Sequence, residues 1–328
     1  MIGALLLGAC STEESSTPAS VIPTEATTTT TLPPTTTAAP TTTVASTTTT
    51  PTTPPPTLPP PGPPVPDRVD LFVGGAEPDA GWLALGHWSG TEWEDGADQP
   101  TSGSPVRITS LSTGVGDAMF GDAAPACTGQ TGPTIAADRP AVEPPGSGYG
   151  YVAVGGEWSP HPRPRVRVEA DVPRYRALAE QLLADEPVDP ENGSVVEFLL
   201  ADLDADGTEE AVLVFEYVQD AGRSTPGDFS VLMLVDTTSA TPTAISRSVV
   251  PPLPPPPTTD PEASSTVAQV PPVPEALERA RVLDIVDLNG DGRMELITRA
   301  WSSAGSGAVV TTYRDRTVDT VLDASCAS

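Results

Sequence analysis

The chain has 328 residues, 41 of them proline, and a formal net charge of -28 at pH 7. That balance excludes nucleic acid and anionic lipid surfaces as electrostatic partners, because such contacts need a basic footprint. All sixteen basic residues are arginine, so there is no lysine for a phosphate-binding loop or a pyridoxal Schiff base.

In chain order, residues 1–10 are an apolar stub ending Leu7-Gly8-Ala9-Cys10. This resembles the lipobox of bacterial lipoproteins, and the resemblance implies a signal segment cleaved before Cys10 and lipidation of that cysteine. The expected location is extracytoplasmic, anchored to the cell membrane by lipid. Nine residues make a short leader with no basic start, so translation is expected to begin upstream of Met1. Residues 11–66 are almost entirely Thr, Pro, Ser and Ala, with acids only at Glu13, Glu14 and Glu25. Such a segment cannot bury apolar area, so it is expected to be a disordered, extended tether of up to ~170 Å. Its Ser and Thr density also fits an O-glycosylated stalk or a bare spacer.

The folded part is expected over 67–328, about 260 residues, enough for one substantial core or two small ones. Val69 to Val73 reads as a strand, and Trp82 to Trp93 alternates as a hairpin around Ser89-Gly90. Gly146-Ser147-Gly148 and Gly305-Ser306-Gly307 read as turns. Arg163, Arg165 and Arg167 alternate as the solvated face of a strand would. A helix is expected from a cap at Asp171 through Pro173, Tyr175, Leu178, Ala179 and Leu182 to Glu186, packing on a sheet. Further strands are expected at 195–200, 211–217, 229–235, 244–249, 281–286 and 296–301, with a Pro-rich insertion at 251–275. If Cys10 is lipidated, Cys127 and Cys326 remain as an even pair, read as one disulfide, with two free thiols as the alternative.

Two of the connections carry specific chemistry. Asp202-Leu-Asp204-Ala-Asp206-Gly207-Thr208-Glu209-Glu210 and Asp287-Leu-Asn289-Gly-Asp291-Gly292-Arg293-Met294-Glu295 place oxygen-bearing side chains at positions 1, 3, 5 and 9 around a glycine at position 6. Alternate residues of a tight loop turn their carboxylates inward, and the glycine permits the bend, which is how a chain wraps a hard cation such as calcium. The expected ligands are Asp202, Asp204, Asp206, Thr208 and Glu210, and Asp287, Asn289, Asp291, Arg293 and Glu295, with Thr208 and Arg293 giving only their carbonyls. A helix-loop-helix hand would need a glutamate at position 12, where Leu213 and Thr298 stand.

These loops, flanked by strands, resemble the FG-GAP and VCBS repeats, whose calcium loops join neighbouring strands in β-propeller blades such as those of integrin α-subunits. The resemblance covers 195–328 and implies a mainly β fold of propeller-like blades with calcium-binding hairpin loops and one inserted helix; a two-layer α+β domain is the alternative. The loop starts, 202 and 287, are 85 residues apart, and setting aside the 251–275 insertion leaves about 60, close to one four-stranded blade. At that length residues 67–328 would hold about four blades.

For catalysis the inventory is thin. The two histidines, His87 and His161, are too few for a three-histidine metal site, and there is no Gly-x-Ser-x-Gly elbow. The expectation is a lipid-anchored cell-surface protein with two structural calcium sites, serving binding or adhesion to a surface protein or glycan. A hydrolase of cell-envelope polymers and a passive envelope component are the alternatives.

Overall fold

The computed structural model describes residues 67–74, 80–111, 114–127, 129–137, 150–155, 161, 163–168, 173–220, 223–252 and 276–327. The expected lipobox with Cys10, the tether, the helix cap Asp171, the 146–148 turn and nearly all of the 251–275 insertion lie outside these residues.

The described residues are mainly β, with one α-helix, and every strand pair is antiparallel. Sheet A holds β1 (Val69–Gly74), β2 (Leu83–Trp88), β3 (Trp93–Asp95), β4 (Pro105–Ser110), β5 (Gly114–Cys127), β6 (Gln130–Ala137) and β7 (Tyr151–Gly155). Their order is β3-β2-β1-β7-β4-β5-β6. Sheet B holds β8 (Arg165–Arg167), then after helix α1 (Pro173–Leu182) come β9 (Ser194–Ala201), β10 (Glu210–Tyr217), β11 (Phe229–Asp236) and β12 (Thr241–Val249). Sheet C is a plain meander of β13 (Arg279–Val286), β14 (Glu295–Ser302), β15 (Gly305–Arg314) and β16 (Thr317–Ala327).

The stacking follows from which face each apolar residue takes. In β10, Val212 and Val214 pack with Ala280, Val282 and Leu296 of sheet C, while Ala211, Leu213 and Phe215 pack with Ala179 and Leu183 at the helix. That strand is buried on both faces, so it reads as a continuous apolar run. Sheet C repeats the division: Leu296 and Tyr313 face sheet B, whereas Ile297, Ala308 and Val310 join Val69, Leu71, Val152 and Val154 of sheet A. Sheet A keeps a second core of its own around Phe72, Trp82, Phe120, Ile135 and Tyr151. The layers therefore run helix, sheet B, sheet C, sheet A. This is more than the two layers of the α+β alternative, because sheet C is covered on both faces.

Several expectations are corrected. The described residues before 156 form one seven-stranded sheet and not four-stranded blades. Short β7 pairs with both β1 and β4, and so joins two hairpin groups into one seven-stranded sheet. The helix stops at Leu182 rather than Glu186. Leu183, Ala184 and Glu186 donate instead to the carbonyls of Glu180, Gln181 and Leu183, tightening the last turn ahead of Pro187, which disfavours helix in the residue before it. Gly305, Ser306 and Gly307 are not a turn but the start of β15, paired with Ser302, Trp301 and Ala300. The tryptophan hairpin forms as expected, with the Trp88 and Trp93 rings 5.2 Å apart and packed on the core between sheets A and C.

Strand β13 lies at the edge of sheet C yet is almost wholly buried, so its backbone needs partners from elsewhere. Glu197 Oε2 accepts from the Val282 amide at 3.1 Å, and the Leu283 carbonyl accepts from the Leu111 amide at 3.1 Å. A register shift between Val282 and Asp284 lets Val282 and Ile285 face sheet B while Leu283 and Val286 face sheet A. Cys127 of β5 and Cys326 of β16 stand at disulfide distance, with Cα atoms 5.6 Å apart, and link sheet A to sheet C.

Candidate metal centre

Each acidic segment is the connection between the first two strands of a four-stranded meander: 202–209 between β9 and β10, and 287–294 between β13 and β14. The two follow the same backbone path. Position 4 is left-handed in both, at φ 68° for Ala205 and 71° for Gly290, and position 6 is at 87° for Gly207 and 82° for Gly292. A side chain at position 6 would meet nothing within 4 Å, so the glycines are required by conformation and not by space.

Short side-chain to backbone bonds set the shape. Asp204 Oδ1 accepts from the Asp206 amide at 3.2 Å, and Asn289 Oδ1 accepts from the Asp291 amide at 2.9 Å. Asp206 Oδ1 accepts from the Thr208 amide at 2.6 Å, as Asp291 Oδ1 does from the Arg293 amide at 2.8 Å. At position 9, Glu210 Oε2 accepts from the Leu203 amide at 2.8 Å and Glu295 Oε2 from the Leu288 amide at 2.7 Å. Both glutamates are buried.

The copies diverge at position 1. Asp287 gives both oxygens to its own loop, accepting from the Gly290 amide at 2.6 Å and the Gly292 amide at 3.0 Å. Asp291 Oδ2 takes the Arg314 guanidinium at 3.0 Å. Asp202 has no such bonds, and its Oδ1 is buried without a hydrogen-bond partner. In the first loop Asp202, Asp204 and Glu210 bring carboxylate oxygens within 4.8 Å of one another, the one such group among the described residues. Asp206 stands outside it, exposed, with its Oδ1 on Thr208. Thr208 and Arg293 enter these bonds through their amides.

Burial dominates the electrostatics. It pushes Glu210 up to about 7, against the Leu203 amide and with help from the charges of Asp204, Asp206 and Asp202. Burial raises Asp204 in the same way, and takes Asp287 to about 6 and Glu295 well above the usual carboxylate range. An orphaned buried carboxylate oxygen beside two further carboxylates fits a hard divalent cation, which would supply the missing partner and the missing charge.

No protein-family model, curated protein or solved structure matches the chain.

Of the alternating arginines only Arg167 is exposed; Arg163 and Arg165 are largely covered. Arg163 is only 15% exposed at its side chain and donates from Nε to the Asp202 carbonyl at 2.7 Å, from Nη2 to the Leu203 carbonyl at 3.4 Å and from Nη1 to the Gly292 carbonyl. Arg165 reaches Asp284 Oδ1 at 2.9 Å and the Ser110 carbonyl at 3.0 Å. Fully buried Asp284 also accepts from Thr109 Oγ1 and lies 3.2 Å from His161 Nε2. Arg167 lies 3.9 Å from Glu197. Spacing suggested one shared face, but the strand takes in only Arg165 and Arg167, and sequence could not show that Arg163 and Arg165 would be covered. No helix among the described residues is long and apolar enough to cross a membrane.

Proposed function

We propose that this chain is an extracytoplasmic, lipid-anchored binding module whose first acidic loop holds calcium as a structural staple, with Asp202, Asp204 and Glu210 as its carboxylate ligands. The observation that carries the reading is the convergence of those three carboxylates within 4.8 Å around a buried, unpartnered Asp202 oxygen. In this reading β9 to β12 and β13 to β16 are two blade-like repeats of the FG-GAP and VCBS kind, a reading supported by their matched strand order and loop conformation. The second loop, with its Asp287 oxygens on its own amides and Asp291 on Arg314, is the weaker site. Cys10 carries the anchor and the Pro- and Thr-rich segment the reach, while the stacked sheets offer a rigid surface to a surface protein or glycan. Two of the buried carboxylates away from the loops, Glu216 and Glu197, are already engaged and lend the hydrolase alternative no support. Glu216 is engaged by Arg279 and Arg281, and Glu197 holds the edge of β13.

Calorimetric titration with calcium and thermal unfolding with and without chelator test this. Calcium at 100 times Kd should stabilise by ~2.7 kcal/mol by mass action. Asp204→Ala should remove the tighter binding phase and most of the thermal shift, and Asp291→Ala should leave both. A melting temperature indifferent to calcium, or tight binding that survives Asp204→Ala, overturns the reading.

A further inference from the structure

Outside the carboxylates themselves, the contacts around Arg163 are the least explained by the fold alone. Its guanidinium grips backbone rather than side-chain oxygen, taking the carbonyls of positions 1 and 2 of the first loop and of position 6 of the second. Its nearest carboxylate oxygen, Asp202 Oδ2, is 3.5 Å from Nε, longer than the bond to the Asp202 carbonyl, so Asp202 Oδ1 is left free. The loops also meet directly, because the Leu203 carbonyl accepts from the Met294 amide at 2.8 Å. Leu203 thus makes three bonds at this junction: its amide to Glu210 of its own loop, and its carbonyl to Met294 of the second loop and to Arg163.

We infer that Arg163 is a coupling residue, clamping the two acidic loops into one unit so that a divalent cation taken by the first raises the affinity of the second. The inference rests on the calcium reading above. Fixing the Asp202 and Leu203 peptides in a loaded first loop fixes the guanidinium fork, and the fork fixes the Gly292 carbonyl at the bend of the second loop. Ordering of the second loop is then already met in part before its cation arrives, which gives positive cooperativity without a change of fold. Simple electrostatics predicts the reverse. A guanidinium beside both loops repels each cation, and two bound cations repel one another, so the sign of the coupling separates a clamp from a mere counter-charge.

The experiment is calcium titration by calorimetry of the full chain, its Asp204→Ala variant, and both again carrying Arg163→Met or Arg163→Lys. Affinity at the second loop should fall about fivefold or more when Asp204→Ala disables the first, the usual size of such couplings. That fall should vanish with Arg163→Met. It should vanish also with Arg163→Lys, which keeps the charge but not the planar fork. Unchanged second-loop affinity in Asp204→Ala, or a fall that persists in full in Arg163→Met, overturns the clamp; coupling retained by Arg163→Lys shows that charge alone suffices and overturns it too. If no variant binds calcium, the calcium reading fails and the clamp is read separately, by amide hydrogen exchange in chelator. Arg163→Met should then speed exchange at Leu203 and Met294 in both loops but not in β11, and unchanged exchange there removes the clamp.

Discussion

At the scale of single residues, the chain solves one problem repeatedly: where to put guanidinium groups in a strongly acidic protein so that buried carboxylates are matched. Glu216 on β10 illustrates it, with Arg279 at 2.8 Å, Arg281 at 2.9 Å, and both guanidiniums over the Trp301 ring at 5.4 and 5.5 Å. Burial would raise this carboxyl, but the hydrogen bonds and charge of Arg281, then of Arg279, outweigh it and hold it below its ordinary value. A carboxyl whose folded value is depressed contributes stability that is present above the unfolded value, ~4.3, and is lost as pH falls through the folded one. The urea midpoint should therefore drop below about pH 4. Glu216→Gln should be less stable at neutral pH, since it takes the carboxylate charge away from buried Arg281 and half-buried Arg279, and should show a shallower acid limb. An acid limb identical to that of the parent would show that Glu216 is not its source. None of this pairing could be read from sequence, because each bond spans more than sixty residues and two different sheets.

At the scale of elements, the acidic loops were the most legible part. Their glycines, their Asx turns and their flanking apolar runs are all local, and local hydrogen bonding fixes them whatever the rest of the chain does. Strands β9, β10, β11, β13 and β14 fall close to where their Val, Leu and Phe content put them. Strands β4 to β6 and β15 to β16 gave weaker signals, being rich in Gly, Ala, Ser and Thr, although β4 with β5, β5 with β6 and β15 with β16 pair as hairpins of chain neighbours. The most sensitive element is β10, packed on the helix by one face and on sheet C by the other. Phe215 is fully buried there, with its ring 5.4 Å from that of Phe229 and Arg176 at 5.9 Å from its centroid. Phe215→Ala should cost 3–5 kcal/mol in equilibrium unfolding, the range for emptying an aromatic site in a packed core. A loss under 1 kcal/mol would mean that the helix collapses into the space and that this layer is loosely packed.

At the scale of the whole molecule, sheet C is the middle of the stack, and what holds it is a mixture of apolar contact and a covalent link. The Cys127–Cys326 pair closes a sequence separation of 199 residues between β5 and the last strand. In the chain-entropy account such a loop is worth up to ~5 kcal/mol, acting through the unfolded state. Reduction, or the double change Cys127→Ser with Cys326→Ser, should lower the unfolding midpoint accordingly, without altering the folded spectrum. Two reactive thiols in the denatured, unreduced chain would show instead that the pair does not bridge.

The division of labour between sequence and tertiary structure is plain at this scale. Sequence by itself determined the β class, the glycine-centred conformation of both acidic loops and the helix near 173–182, because each depends on neighbours a few residues away. Tertiary structure alone decided that β7 would merge residues 69–155 into one seven-stranded sheet and that the helix would cap sheet B. It also decided that Arg163 would be largely covered between two loops instead of standing in water. Those outcomes turn on which faces meet, and the two loops that look equivalent in sequence differ for the same reason. Asp287 is satisfied within its own turn, while Asp202, beneath Arg163, keeps one buried oxygen unmatched.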